Sequence, residues 1–174
     1  MVSYDCLHCG KCCTSFGVCV TPFDILRISK ATGTKPTEFL SVIPEPPERE
    51  RTEPAILMEG QRSLIILKWN GEMVCTFHSD LGCAIYAARP RLCRTYPFNL
   101  TSEQLEDMKS RACPIRWLPK DKKVYLKDLR EYQKELAAYG KIADEWNRTQ
   151  GGGLDDYLRF ALPKAKKIAS ILPK

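Results

Sequence analysis

The sequence contains nine cysteines, whose thiols can bind metals or carry out redox chemistry, and the densest group of them lies near the N-terminus. Four occur in residues 6–13, which read CLHCGKCC. Steps of three residues, as from Cys6 to Cys9 to Cys12, can direct sulfur atoms toward a common point. Thiolates are soft ligands that suit zinc, copper(I) and iron–sulfur clusters. Gly10 lets the backbone approach a metal closely, so this segment is predicted to be a metal-binding loop.

The vicinal pair Cys12 and Cys13 poses a geometric question. Adjacent side chains point in different directions on a helix and on a strand, so both fit poorly into one mononuclear tetrahedral site. Either the two thiols bind metal at two different sites, or one of them binds no metal and lies beside the thiols that do. If Cys19 is set aside, eight cysteines remain, which is enough for two four-thiolate sites. These eight are the predicted metal ligands: Cys6, Cys9, Cys12, Cys13, Cys75, Cys83, Cys93 and Cys113.

The spacing of these cysteines bears on which metal they bind. Structural zinc sites often use two separate pairs of cysteines, whereas the four cysteines from Cys75 onward are single. A C-x2-C-x2-C run completed by a remote Cys-Pro is closer to the spacing of bacterial ferredoxins, and Cys113-Pro114 could supply that pair. We therefore expect an iron–sulfur cluster of the 4Fe-4S type as the cofactor, with Zn2+ as the alternative.

Three other residues near the predicted ligands have a more ordinary interpretation. Cys19 lies in an apolar, strand-like segment and is expected to be a buried, inert thiol. His8 lies inside the cysteine loop and His78 follows Cys75 by three residues, so either could replace a thiolate. Histidines in such places more often lie beside the ligands or at the surface, and both stay outside the predicted set.

A second motif in the middle of the chain points to a family. Residues 83–98 read CAIYAARPRLCRTYPF. Together with residues 6–13, this motif strongly resembles the CxxCxxCC zinc- or iron-chelating domain family, the YkgJ-type cysteine-cluster proteins, over roughly residues 4–115. The resemblance implies metal chelation, and Cys75 and Cys113 fall where such proteins carry further cysteines. One relative, the flagellin lysine methylase, implies that such a domain can support protein methylation.

Arg89 and Arg94 belong to this second motif, and two roles are open for them. They could offset the negative charge of clustered thiolates, which lowers thiol pKa values and tunes a cluster, or bind an anionic ligand. They could instead pair with carboxylates and brace the turn at Pro90. The aromatic residues of the motif are expected to pack around the site: Tyr86, Tyr96 and Phe98.

The interpretation of so many cysteines depends on whether the protein lies in a reducing or an oxidising compartment of the cell. The apolar runs, such as Leu64–Leu67, are too short to span a bilayer, and the N-terminus shows no basic region followed by an apolar stretch. We therefore expect a cytoplasmic protein without a secretory signal or membrane association. In a reducing compartment, dense cysteines indicate metal binding or redox chemistry rather than disulfides.

The hydrophobic pattern predicts an α+β fold: a small cysteine-rich metal-binding domain with a short antiparallel β-meander and C-terminal helices. The strands are expected at residues 55–58, 64–69 and 73–77, with a hairpin turn at Asn70-Gly71 and a surface loop at 44–54. Helices are expected from Pro22 to Gly33, near Pro36, in part over 86–93, from Ser102, over 122–148, and after Gly153 with Pro163 as a candidate break. Residues 1–119 are the predicted metal-binding domain and residues 120–174 a helical extension packed on it.

The charge of +6 is unevenly distributed. Residues 120–174 carry 13 Lys and Arg against 8 Asp and Glu, a net charge of +5. Such a basic tail can attract RNA or an acidic protein partner, or it can be a solvated helix face. The solvated face is favoured, because no aromatic-interleaved nucleic-acid motif accompanies the charge.

Three functions remain open from the sequence. The first is a protein that holds one or two iron–sulfur clusters for electron transfer or support of a larger enzyme system, with an unknown protein partner. The second is a structural zinc-binding module that docks protein or RNA through the basic C-terminal helices. The third is a protein-modifying, methyltransferase-like enzyme component. It ranks last, because the sequence has no recognisable cofactor-binding motif and Phe16 stands where a radical C-x3-C-x2-C run needs its third cysteine.

Overall fold

A computed structural model describes six ranges of the chain: residues 9–47, 53–80, 82–97, 112–113, 121–149 and 151–171. Across these ranges the fold is α+β, as predicted, with a small antiparallel sheet and two long C-terminal helices. Several residues of the sequence predictions lie outside the described ranges: Cys6, His8, Phe98 and the expected helix from Ser102. None of the described helices combines the length and the apolar character that crossing a membrane requires.

Helix α1, Pro22–Thr32, begins and ends where its sequence predicts. Thr21 Oγ1 accepts a hydrogen bond from the Asp24 N–H at 3.2 Å, and Asp24 Oδ2 accepts one from the Thr21 N–H at 2.9 Å. This reciprocal pair is a capping box, and it satisfies backbone donors that a helix start leaves free. Gly33 ends the helix in the left-handed conformation, with φ of 72°. Asp24 is only 1% exposed, so the cap is part of the interior.

The main sheet has three antiparallel strands in the order β1-β3-β2. A short helix, α2 at Pro36–Phe39, leads directly into β1, Leu40–Pro44. Strands β2, Ile56–Met58, and β3, Gln61–Leu67, form a hairpin. The central strand β3 supplies the buried run from Ser63 to Leu67, and β1 pairs with that same run.

The predicted strand at residues 73–77 is wrong, because both edges of β3 are already occupied. Strand β1 covers one edge, and Val18–Val20 covers the other through hydrogen bonds between Val20 N and Ile65 O at 3.1 Å and between Leu67 N and Val18 O at 2.9 Å. The predicted turn at Asn70 does form, and its Oδ1 accepts from the N–H groups of Glu72 and Val74. The chain then leaves the sheet, and Cys75 makes only an isolated bridge with Trp69.

The C-terminal part forms two helices, α4 at Lys122–Asn147 and α5 at Leu154–Ile171. Asp121 caps α4 by accepting from the N–H groups of Lys123 and Val124. Helix α5 continues through Pro163, contrary to the candidate break there. Proline removes one helical hydrogen bond, but Ala161 and Ala165 on either side are fully buried and fix both halves against the core.

The two C-terminal helices share the core of the sheet domain. Trp146 of α4 donates from Nε1 to the carbonyl of Leu57 in β2 at 2.7 Å. Its ring lies edge-on to Tyr157 of α5, with centroids 5.4 Å apart. Helix α5 in turn packs along α1. The domain boundary at residue 119 stays a prediction, because residues 114–120 lie outside the described ranges.

Candidate metal centre

The N-terminal cysteine loop turns sharply at Gly10. Gly10 has a left-handed φ of 72°, and a short 3-10 helix, Lys11–Thr14, follows it. The N–H of Cys13 donates to the carbonyl of Gly10 at 2.8 Å, which closes the turn. Cys12 and Cys13 are therefore held in a compact turn rather than on a strand, and a hydrogen bond links their side chains.

A backbone hydrogen bond joins this loop to the second cysteine segment. The N–H of Cys75 donates to the carbonyl of Cys13 at 2.9 Å, and the N–H of His78 donates to the carbonyl of Cys75 at 2.8 Å. His78 then begins β4, His78–Ser79, which pairs with β5, Gly82–Cys83. In that small ribbon His78 lies opposite Cys83, so the ribbon returns the chain to the same region.

A third segment brings Cys93 to the same region. Cys93 lies on helix α3, Arg91–Thr95, and packs against the core beside the other cysteine segments. Cys75 and Cys83 belong to the same core cluster, and burial, followed by the nearby thiols of Cys12, Cys75 and Cys83, raises the pKa of the Cys93 thiol. Four predicted ligands from three segments distant in sequence therefore share one partly buried region.

Cys113 approaches this region through Tyr96, which follows α3. The Tyr96 ring lies 5.3 Å from that of Phe16 in the N-terminal loop. Burial raises the pKa of Tyr96, and the thiols of Cys113 and Cys12 raise it further. Tyr96 therefore lies between the N-terminal loop and Cys113, as expected of an aromatic residue packed around the site.

Burial keeps these thiols protonated when no metal is bound. It is the largest cause that raises the pKa values of Cys75, Cys83 and Cys93. The pKa of Cys12 is raised first by its hydrogen bond with Cys13 and then by burial. Because a metal binds the thiolate form, it must displace protons from these sulfur atoms.

The arrangement is a loose thiol cluster rather than a closed cage. Within the described ranges, no three Cys, His, Asp or Glu side chains are already positioned to hold one metal ion. Cys9 is exposed, and Cys6 lies outside those ranges. The assignment of the eight ligands stays a prediction, and metal binding would have to draw the thiols together.

Cys19 is separate from the cluster, as predicted. It is 7% exposed, and it bridges Ile66 in the centre of the sheet. Its neighbours are apolar side chains of the sheet rather than other thiols: Ala55, Leu64 and Ile66. Cys19 therefore confirms the expectation of a buried thiol.

The two arginines of the central motif have different surroundings. Arg94 donates from Nε to the carbonyl of Arg89 at 3.2 Å and also donates to the carbonyl of Ala87, which matches the bracing role. Arg89 lies with Cζ 3.7 Å from the centroid of the Tyr86 ring, a cation–π geometry. Its charge lowers the pKa of the Cys83 thiol, which opposes the effect of burial and matches the electrostatic role.

Reasoning from the sequence missed Arg91, which lies between the motif residues Pro90 and Cys93. Its N–H donates to Asp24 Oδ1 at 2.9 Å, and its guanidinium contacts three carboxylates of α4. Only its position inside the motif could have indicated this role from the sequence, because its partners lie far away along the chain.

Gly10 provides a test of the loop geometry. A Cβ at this position would lie 2.1 Å from His78 Nε2, so in Gly10→Ala either the loop or the imidazole must move. Gly33 has the same φ of 72° but nothing within 4 Å, which makes Gly33→Ala a matched control for backbone strain alone. We expect Gly10→Ala to weaken Co2+ binding by about tenfold or more, as changes beside metal ligands do.

In the same titration, Gly33→Ala should keep wild-type affinity, and His78→Ala should restore part of the affinity of Gly10→Ala. Equal affinities for the two glycine variants would contradict a role for the contact between Gly10 and His78.

One comparison with known proteins bears on this region. A family model named CxxCxxCC, described as "Putative zinc- or iron-chelating domain", matches residues 5–114. The match includes all eight predicted ligands and ends before α4. No curated protein and no solved structure matches the chain.

Proposed function

Because this chain belongs to the CxxCxxCC family of zinc- or iron-chelating domains, we propose that its clustered cysteines hold one or two iron–sulfur clusters of the 4Fe-4S type. Membership of the family supports metal binding. The observation that carries the proposal is that cysteines of three segments meet in one part of the core. The N–H of Cys75 donates to the carbonyl of Cys13, and Cys83 and Cys93 pack in the same core cluster.

The donor set fits such a group. The converging side chains are thiols, which are the ligands of iron–sulfur clusters. The eight predicted ligands are twice the four that one mononuclear zinc site or one 4Fe-4S cluster uses, so they are enough for two such sites. Four of the eight predicted cysteines would hold each cluster, and Arg89 would offset part of the charge near Cys83. Bound in this way, a cluster would supply a centre that accepts and gives one electron at a time.

The proposed role is electron transfer, or support of a larger enzyme system, in the cytoplasm and with a protein partner. What supports this choice is that the sequence contains many metal-binding thiols and no motif for binding a nucleotide or S-adenosylmethionine. In this role the chain's own residues shield the thiols from water and set the charge around them. The cluster potential would follow from both properties.

A redox titration tests this role. Protein purified without oxygen should lose visible absorbance when dithionite is added, and it should regain that absorbance on reoxidation. Protein that contains iron and sulfide but shows no reversible change would contradict an electron-transfer role.

The alternative is a structural zinc-binding module, which the family description also allows. RNA docking through the basic helices has less support, since no aromatic-interleaved nucleic-acid motif accompanies their charge. Two of the basic side chains also lie in ion pairs, Lys164 with Glu145 and Arg159 with Asp156. Zinc-loaded, colourless protein would favour this alternative.

A further inference from the structure

Helix α3 cannot hold Cys93 in place by itself. It has only five residues, Arg91–Thr95, and isolated helices of that length are not stable in water. Its N-cap residue, Pro90, makes no side-chain capping hydrogen bond. The position of the Cys93 thiol therefore depends on the contacts that other parts of the protein make with α3.

Helix α1 supplies the missing cap. Asp24 Oδ1 accepts a hydrogen bond from the N–H of Arg91 at 2.9 Å, which satisfies a free backbone donor at the start of α3. A carboxylate in this position also interacts favourably with the positive end of a helix. Because Asp24 is held by its own capping box, it fixes the start of α3 relative to α1.

Helix α4 holds the side chain of Arg91 through ion pairs. The Arg91 guanidinium donates to Asp128 Oδ1 and Glu131 Oε2, and its Nε lies 3.5 Å from Glu135 Oε1. These three acids are spaced by three and four residues, so they form one stripe on α4. The Arg91 side chain is only 13% exposed, which shields the ion pairs from solvent.

Two acids of this stripe also interact with other arginines, so each of them lies near more than one positive charge. Glu135 Oε1 also accepts from Arg27 Nη1 at 2.6 Å, and Asp128 Oδ1 lies 3.9 Å from Arg94 Nη1. The network therefore joins α1, α3 and α4 at one point, two residues before Cys93.

We propose that Arg91 is a positioning residue for the metal centre, and that the acidic stripe of α4 (Asp128, Glu131 and Glu135) fixes the Cys93 thiol through it. This inference rests on the proposed function. The family match ends at residue 114, so α4 lies outside it. In this chain, metal binding by the matched domain therefore depends on a helix that the family pattern does not include.

A Co2+ titration of the full chain tests this inference, because the absorbance of thiolate–Co2+ bonds reports how many cysteines bind. Arg91→Met is expected to bind Co2+ about 10–100-fold more weakly, with lower thiolate absorbance per bound Co2+. Arg91→Lys should recover part of both. Arg62→Met is the matched control, since it removes an arginine–glutamate pair of 2.7 Å at the main sheet and should behave as wild type.

The outcomes separate the two proposals. Wild-type affinity and spectrum in a folded Arg91→Met protein would overturn the positioning role while leaving the metal site intact. Failure of the wild-type protein to bind Co2+ and to take up iron and sulfide on anaerobic reconstitution would instead overturn the proposed function. Should Arg91→Met fail to fold by circular dichroism, the double variant Asp128→Asn with Glu131→Gln replaces it, and wild-type binding there would equally overturn the inference.

Discussion

A Cys93→Ser protein is expected to lose nearly all of its bound metal, whereas a Cys19→Ser protein is expected to keep it. Cys93 packs in the same core cluster as Cys75 and Cys83, so its replacement removes one of the predicted ligands from the cluster. A serine hydroxyl is a harder and far less acidic ligand than a thiol. The affinity should fall by at least about 100-fold, the upper range for residues that only support ligands.

The measurement is metal content per chain after gel filtration without oxygen, with circular dichroism as the check of folding. Cys19 is a matched control, because it is also a cysteine packed in the interior but has apolar neighbours. Similar metal retention by both serine variants would contradict the assignment of Cys93 to the metal centre.

A second large effect is expected for Asp24→Ala, which should lower the free energy of unfolding by about 3–5 kcal/mol. Asp24 caps α1, caps α3 through the N–H of Arg91, and pairs with Arg27. Its removal leaves Glu135 as the carboxylate partner of the Arg27 side chain, which is 27% exposed, and frees the backbone donors of two helix starts.

Asp156→Ala is the matched control for this change. Asp156 also pairs with an arginine three residues later and also accepts from a backbone N–H at a helix start, but both members of its pair are exposed. Its replacement should cost less than about 1 kcal/mol. Urea unfolding with a chelator present measures both values without a contribution from metal, and equal losses would contradict the central role of Asp24.

Local patterns predicted the helices well. The run Thr21-Pro22-Phe23-Asp24 carries a capping signal that needs no knowledge of the rest of the fold, and Gly33 provides the matching end. Helix α4 follows from apolar residues at three- and four-residue steps. These signals are sufficient because each depends on residues within a few positions of one another.

Pairings between distant segments could not be predicted in the same way. Residues 73–77 have the composition of a strand, but β1 and Val18–Val20 occupy the edges that they would need. Likewise, Arg91 shows its role only through Asp128 and Glu131, which are 37 and 40 residues away. The motif therefore indicated which cysteines belong to the site, but not which charged residues position them.

The central claim is that the thiol cluster binds metal as an iron–sulfur centre. Its most direct test is the iron, zinc and acid-labile sulfide content of protein purified without oxygen, together with a visible spectrum. The expected result is iron and sulfide in equal amounts in brown protein. Zinc without sulfide would contradict the iron–sulfur cluster, and protein free of both metals would contradict the metal centre itself.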